Sequence, residues 1–271
     1  MTQQRDPLVI ERAEQLWQSG TRRSFLKMLG VGGTVLLLPS VFTACGDDDA
    51  TGTGPTATSV TLDLSTDTGI LNYAYALEQL EAAFYTAAVG SAAFSGMSAE
   101  QQEVLIDLRN HEVIHREFLR SALGSSAIGN LALNSATVST SIATSASILK
   151  TAETFEDLGV SAYNGAGKYL ASADLLTIAG KIVSVEARHA AAIRDLREGA
   201  GLTGSAAGTR FAGDDVVQPS GTYQGLDVKM EPGAVLSRVV ASGFVTTTVA
   251  IGTPLPAKTG TPDAGPPSPT P

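Results

Sequence analysis

Four segments of this chain place glutamates inside an apolar helical stripe, and that pattern limits what the chain can fold into. Glu78 and Glu81 stand among Leu71, Ala74, Leu77, Phe84, Tyr85 and Ala88. Glu112 and His115 stand among Val104, Leu105, Leu108, His111, Leu119 and Ala122. Glu156 shares a face with Ala152, Phe155, Gly159, Val160 and Tyr163, and Glu186 and His189 share one with Leu176, Ala179, Ile182, Val183, Ala190 and Ile193. Steps of three and four residues put each set on one side of a helix. An ionised carboxylate cannot be left without a partner in an apolar interior. The nearby cations Arg109, Arg116, Arg120, Arg188, Arg194 and Arg197 are expected on outer, wet faces. The acids therefore need another source of positive charge, and a pair of divalent or trivalent metal ions supplies it.

Punctuation sets the limits of the helices. The first is expected from Ile70 to the stop at Gly90, and the second from Ser98 to Gly124, with Glu100 and Gln101 close to a capping box. Residues 125–147 hold no charge and are rich in Ser, Thr, Ala and Asn, which suggests a long crossover. A third helix is expected over about 148–163 and a fourth over about 173–198, closed by Gly199 and Gly201. Beyond it, a short helix is expected over 233–242, an apolar segment over 245–254 that packs or pairs as a strand, and a Pro-rich tail over 256–271.

The chemistry-bearing residues repeat in order. Glu78 is followed seven residues later by Tyr85, then by Glu112-x-x-His115; Glu156 is followed seven residues later by Tyr163, then by Glu186-x-x-His189. The glutamate-to-glutamate steps are 34 and 30 residues. The i, i+3 spacing puts each Glu and His on one helix face. Imidazole beside carboxylate suits iron or manganese. Glu81 and Glu153 are alternates on the first and third helices. The pentapeptide His111-Glu112-Val113-Ile114-His115 also matches H-E-x-x-H, a zinc-protease motif. That reading lacks a nearby third ligand, and Val185 stands where the second motif would need its leading His.

The N-terminal region points to export. Thr21-Arg22-Arg23-Ser24-Phe25-Leu26-Lys27 is a twin-arginine signature. It precedes an apolar run, Met28 to Ala44, too short and Gly-rich for a confident span. Cys45, the only cysteine, follows Val41-Phe42-Thr43-Ala44 in the manner of a lipobox, with Phe42 where Leu is usual. Residues 1–44 are therefore expected to be a signal peptide handled by the twin-arginine translocase, and 45–69 a flexible tether. The protein is expected in the periplasm or cell envelope, with a lipid anchor at Cys45. Residues 45–271 hold 13 Lys+Arg against 24 Asp+Glu, a net charge of −11, which argues against a nucleic-acid partner.

Leu77-Glu78-Gln79-Leu80-Glu81-Ala82-Ala83-Phe84-Tyr85, His111-Glu112-Val113-Ile114-His115-Arg116-Glu117-Phe118-Leu119, Phe155-Glu156-Asp157-Leu158-Gly159-Val160-Ser161-Ala162-Tyr163 and Val185-Glu186-Ala187-Arg188-His189-Ala190-Ala191 resemble the exported ferritin-like domain family. Its relatives include bacterioferritins, rubrerythrins and plant desiccation-related proteins. The resemblance covers about residues 70–200. It implies an all-α fold: a four-helix bundle with a long connection between its second and third helices, followed by a C-terminal extension over 201–255. It implies metal ligands Glu78, Glu112, His115, Glu156, Glu186 and His189, with Glu112 and Glu186 bridging two iron ions, or two manganese ions. Tyr85 and Tyr163 would be hydrogen-bond donors or radical sinks beside them. The implied activity is oxidoreductase chemistry of ferroxidase or peroxidase type, on Fe(II), peroxide or oxygen, in stress protection. The other implied role is a non-catalytic binding module. With one cysteine, the chain has no rubredoxin-like electron relay. The oligomeric state is left open, a dimer included.

Overall fold

The computed structural model of the chain describes residues 56–201, 217 and 225–253. The expected signal peptide with Arg22, Arg23 and Cys45, the first half of the expected tether and the tail over 256–271 lie outside the described residues. The elements in order are β1 (Thr56–Ala57), β2 (Ser59–Asp63), α1 (Asp67–Val89), α2 (Ala92–Ser95), α3 (Ala99–Leu123), β3 (Asn130–Leu131), α4 (Ser135–Ser141), α5 (Ser145–Ala166), α6 (Ala173–Gly199), α7 (Pro232–Ala241) and β4 (Thr248–Thr253). No described helix is long and apolar enough to cross a membrane.

Side-chain caps start the four long helices. Thr66 accepts from the Gly69 amide, Ser98 and Gln101 form a reciprocal capping box, Thr144 and Ser147 form another, and Ser172 accepts from the Leu175 amide. Each cap satisfies an amide that the first turn would otherwise leave unpaired. α1 packs mainly on α3 and α5 mainly on α6, with lighter α1–α5 and α3–α6 contacts. The chain thus forms two helix pairs, one for each half of the sequence repeat.

Hydrogen bonds between the ends fix the directions. Asn72 near the start of α1 meets the chain just after α3, and Asp67 accepts from the amides of Ala171 and Ser172 just before α6. The Ser145 hydroxyl at the start of α5 reaches the Ala93 carbonyl just beyond the end of α1. α1 and α6 therefore run one way and α3 and α5 the other. α3 ends at one end of the bundle and α5 begins at the opposite end, so residues 124–144 must travel its length, about 35 Å for helices this long. This is the expected long crossover, with more structure than its composition suggested. It contains β3, which pairs in parallel with β1, and the helix α4, capped by Asn134.

The tether expected over 45–69 is not a tether from Thr56 onward. β2 alternates exposed and buried residues, and Val60 and Leu62 turn inward, as does Leu64 beyond it. β2 pairs in parallel with β4, so the C-terminal apolar segment returns to cover the N-terminal one. Five alternating residues suffice for such a strand, and the surrounding Thr, Ser and Gly hide it from a composition reading. The segment before α7 docks closely on α5. The Met230 amide donates to the Ser161 carbonyl, and a Cβ on Gly165 would lie 1.8 Å from the Met230 carbonyl oxygen. Only glycine fits there.

Candidate metal centre

Each bundle helix delivers carboxylates to one level of the interior. Glu78 comes from α1, Glu112 and His115 from α3, Glu156 from α5, and Glu186 and His189 from α6. All four glutamates are completely buried. Their ligand atoms form two groups that could each hold a metal ion: Glu78, Glu112, His115 and Glu186; and Glu112, Glu156, Glu186 and His189. Within each group the ligand atoms lie within 4.8 Å of one another. The groups share Glu112 and Glu186, so these two carboxylates would be within reach of both ions. Each ion would also have one terminal Glu and one His.

The unpaired atoms agree with that division. Both oxygens of Glu112 and both of Glu186 are buried without a hydrogen bond, as are Glu78 Oε2, Glu156 Oε2, His115 Nδ1 and His189 Nδ1. The remaining oxygens of the two terminal acids are taken: Tyr163 donates to Glu78 Oε1 and Tyr85 to Glu156 Oε1, each at 2.5 Å. A terminal ligand needs one free oxygen and a bridge needs two, and the structure supplies these numbers. His115 Nδ1 lies 3.0 Å from Glu186 Oε1 and 3.4 Å from Glu112 Oε2; His189 Nδ1 lies 2.8 Å from Glu112 Oε1 and 3.4 Å from Glu156 Oε2. These atoms are close yet make no hydrogen bond with one another. Unpaired polar groups this deeply buried are costly, and two bound cations would satisfy them.

Electrostatics without the cations shows the same need. Burial, together with the charges of Glu112 and Glu78, pushes Glu186 well above the usual carboxylate range. Burial lifts Glu112 to about 7, although the close His115 and His189 nitrogens oppose the rise. Glu78 moves the other way: burial would raise it, but His115 and the Tyr163 hydroxyl hold its carboxyl below the ordinary value. Burial opposes charge on His189, yet the neighbouring carboxylates Glu156 and Glu112 lift it to about 10; His115 is raised by Glu112, Glu186 and Glu78 in the same way.

The residues left open by the sequence now have places. Glu81 is buried beside the box but belongs to neither group. Its carboxyl is raised well above the usual range by burial and by Glu186 and Glu112. Glu153 turns away from the box and pairs with Arg197, so it is not an alternate ligand. His111 is outside both groups too. Its Nδ1 lies 2.9 Å from His189 Nε2, with the rings stacked, so it orients a ligand instead of supplying the first position of a zinc-protease motif.

Two of the arginines assigned to wet faces are buried. Arg194 grips Asp157 with its Nε and Nη2, and Arg116 pairs with Glu117. These pairs are not legible in the sequence, because Asp157 and Glu117 look like ordinary surface acids.

Residues 66–199 match the family model described as the ferritin-like domain. No curated protein matches the chain.

Proposed function

With residues 66–199 belonging to the ferritin-like domain family, we propose that the chain is an exported di-iron carboxylate protein that carries out redox chemistry on dioxygen, peroxide or Fe(II) in stress protection. Two overlapping ligand groups that share Glu112 and Glu186 carry this reading. Six protein ligands, two of them imidazoles among four carboxylates, form a donor set that accepts iron and also manganese. Bound iron would supply one electron per ion to an oxidant. The chain's own residues do the rest. Tyr85 and Tyr163 hold one oxygen of each terminal carboxylate, His111 orients the His189 ring, and the apolar layers on either side exclude bulk water.

Metal analysis of protein purified from iron- and from manganese-supplemented cells tests the reading. Two ions per chain are expected, with iron giving an oxidant-dependent optical change after anaerobic loading. Glu112→Ala removes one oxygen from each group and is expected to abolish the pair. A metal-free chain of unchanged stability that takes up neither ion would instead indicate a non-catalytic module. One zinc per chain, lost in His111→Ala and kept in His189→Ala, would restore the protease reading.

A further inference from the structure

On α3 and α6 the carboxylate level separates residues of two apolar clusters. Leu105 and Leu108 of α3 and Ile193 and Leu196 of α6 lie in the larger cluster on one side of it, and Leu119, Leu123 and Ile182 lie in a separate cluster on the other. The two tyrosines of the repeat face these different surroundings. Tyr85 is fully buried, with Phe84 at 5.1 Å, Phe155 at 5.2 Å from Phe84 and Phe244 at 4.9 Å from Phe155. Tyr163 instead lines a cavity of about 30 Å³ together with Leu77, Leu119 and Ile182, and partly exposed Leu71 and Ile178 form part of its wall. The sequence repeat gives no hint of this difference, because both tyrosines occupy equivalent positions in it.

We propose that this cavity is the holding site and access route for dioxygen, and that it serves the metal position formed by Glu78, Glu112, His115 and Glu186. The proposal rests on the di-iron reading above. The tyrosine hydroxyls of Tyr73 and Tyr163 are the only side-chain polar atoms among the lining residues, and the rest are aliphatic or glycine, so an ion would lose its hydration there with little in return. Water fares poorly for the same reason, since an ordered water needs two to four polar partners. The volume suits about two water-sized centres, enough for a neutral diatomic molecule and too little for a larger organic substrate. One wall is Tyr163, whose hydroxyl is bonded to Glu78. A guest in the cavity therefore waits one side chain from that metal position, while the Phe84–Phe155–Phe244 cluster closes off the Tyr85 side.

Xenon is the probe, because it reports an apolar cavity whether or not metal is bound. Crystals of the full chain under xenon pressure are expected to show xenon against Tyr163. Ala179→Leu fills the cavity and should exclude it, while Ile178→Ala widens the wall and should keep it. Thermal melting checks that both variants fold. In anaerobically Fe(II)-loaded protein, Ala179→Leu is expected to slow oxidation by limiting dioxygen about fivefold or more, while leaving the rate with hydrogen peroxide within about twofold. Ile178→Ala should not slow the dioxygen rate. An empty wild-type cavity, an unchanged dioxygen rate in Ala179→Leu, or equal slowing with peroxide would overturn the proposal. Failure to bind two iron ions would overturn the di-iron reading and leave the xenon result to judge the cavity.

Discussion

Glu78 and Glu156 each give one oxygen to a tyrosine from the other helix pair and keep the second for the box. The tyrosines thus set how each acid presents itself. Removing a hydroxyl that orients a metal ligand commonly costs about 10–100-fold in affinity. Tyr85→Phe and Tyr163→Phe are therefore each expected to weaken Fe(II) binding about tenfold or more without changing its stoichiometry, as read by anaerobic titration. His111→Phe keeps the stacked ring and removes the hydrogen bond to His189, so it should weaken one of the two ions selectively. Tyr73 is a contrasting case. Its hydroxyl is buried with no hydrogen-bond partner among the described residues. Because an unpaired buried donor costs about 1–3 kcal/mol, Tyr73→Phe should leave the melting temperature unchanged or raise it. At this scale the buried acids and histidines of the box were readable because a glutamate or histidine among leucines breaks the binary pattern. The Arg194–Asp157 pair was not, since it depends on how α5 and α6 face each other and neither residue interrupts an apolar run.

Two amide side chains on α1 tie the crossover to the bundle. Asn72 donates to the Ser126 carbonyl and accepts from the Ile128 amide, and Gln79 accepts from the Leu131 amide at 2.7 Å while its own amide lies 3.5 Å from the Gly129 carbonyl. They are seven residues apart, two helical turns, and so lie on one face of α1. The crossover needs them because its own sequence offers few ladder partners. Asn72→Leu removes both bonds, to the carbonyl of exposed Ser126 and the amide of half-buried Ile128, and is expected to destabilise the chain by about 1 kcal/mol, measured by urea unfolding. On α5, a Cβ on Gly159 would lie 3.2 Å from Glu81 Oε1 and 3.3 Å from Glu186 Oε2. Gly159→Ala should therefore displace those carboxylates and weaken metal binding. The metal-free chain should keep or gain stability, since Ala is favoured over Gly within a helix by about 1 kcal/mol; a loss of metal-free stability with normal binding would refute this. The long helices were legible from stripe, cap and stop. β4 lies within the 245–254 segment expected to pack or pair as a strand, but β1, β2, β3 and α4 were not legible, because elements of two to seven Ser- and Thr-rich residues hold their shape through partners distant in sequence.

Across the whole molecule, the main electrostatic liability is the charge gathered at the bundle centre, and it makes stability and metal binding depend on pH in opposite senses. Glu112 has a folded value near 7, above its ordinary 4.5, and Glu186 and Glu81 are raised as well. A carboxyl raised by folding stabilises the fold in its protonated form. That contribution is complete below the ordinary value and is lost as pH rises through the folded one. His189, lifted from 6.5 to about 10, contributes in the same sense: its contribution is complete below 6.5 and is lost progressively as pH rises towards 10. Glu78, lowered by folding, acts in the opposite sense, but its contribution is lost only as pH falls below the ordinary range. Between pH 6 and 8 Glu112 loses its proton and His189 loses part of its contribution, so the metal-free chain should melt at a lower temperature at pH 8 than at pH 6. Metal ions must displace the same protons in order to bind. Their affinity should therefore rise over that interval, with protons released on binding. Calorimetric melts with chelator and with saturating Mn(II), chosen because it does not oxidise during the scan, are expected to show a gap that widens from pH 6 to pH 8. A gap that stays constant or narrows would mean that the buried acids are not the groups that receive the metal.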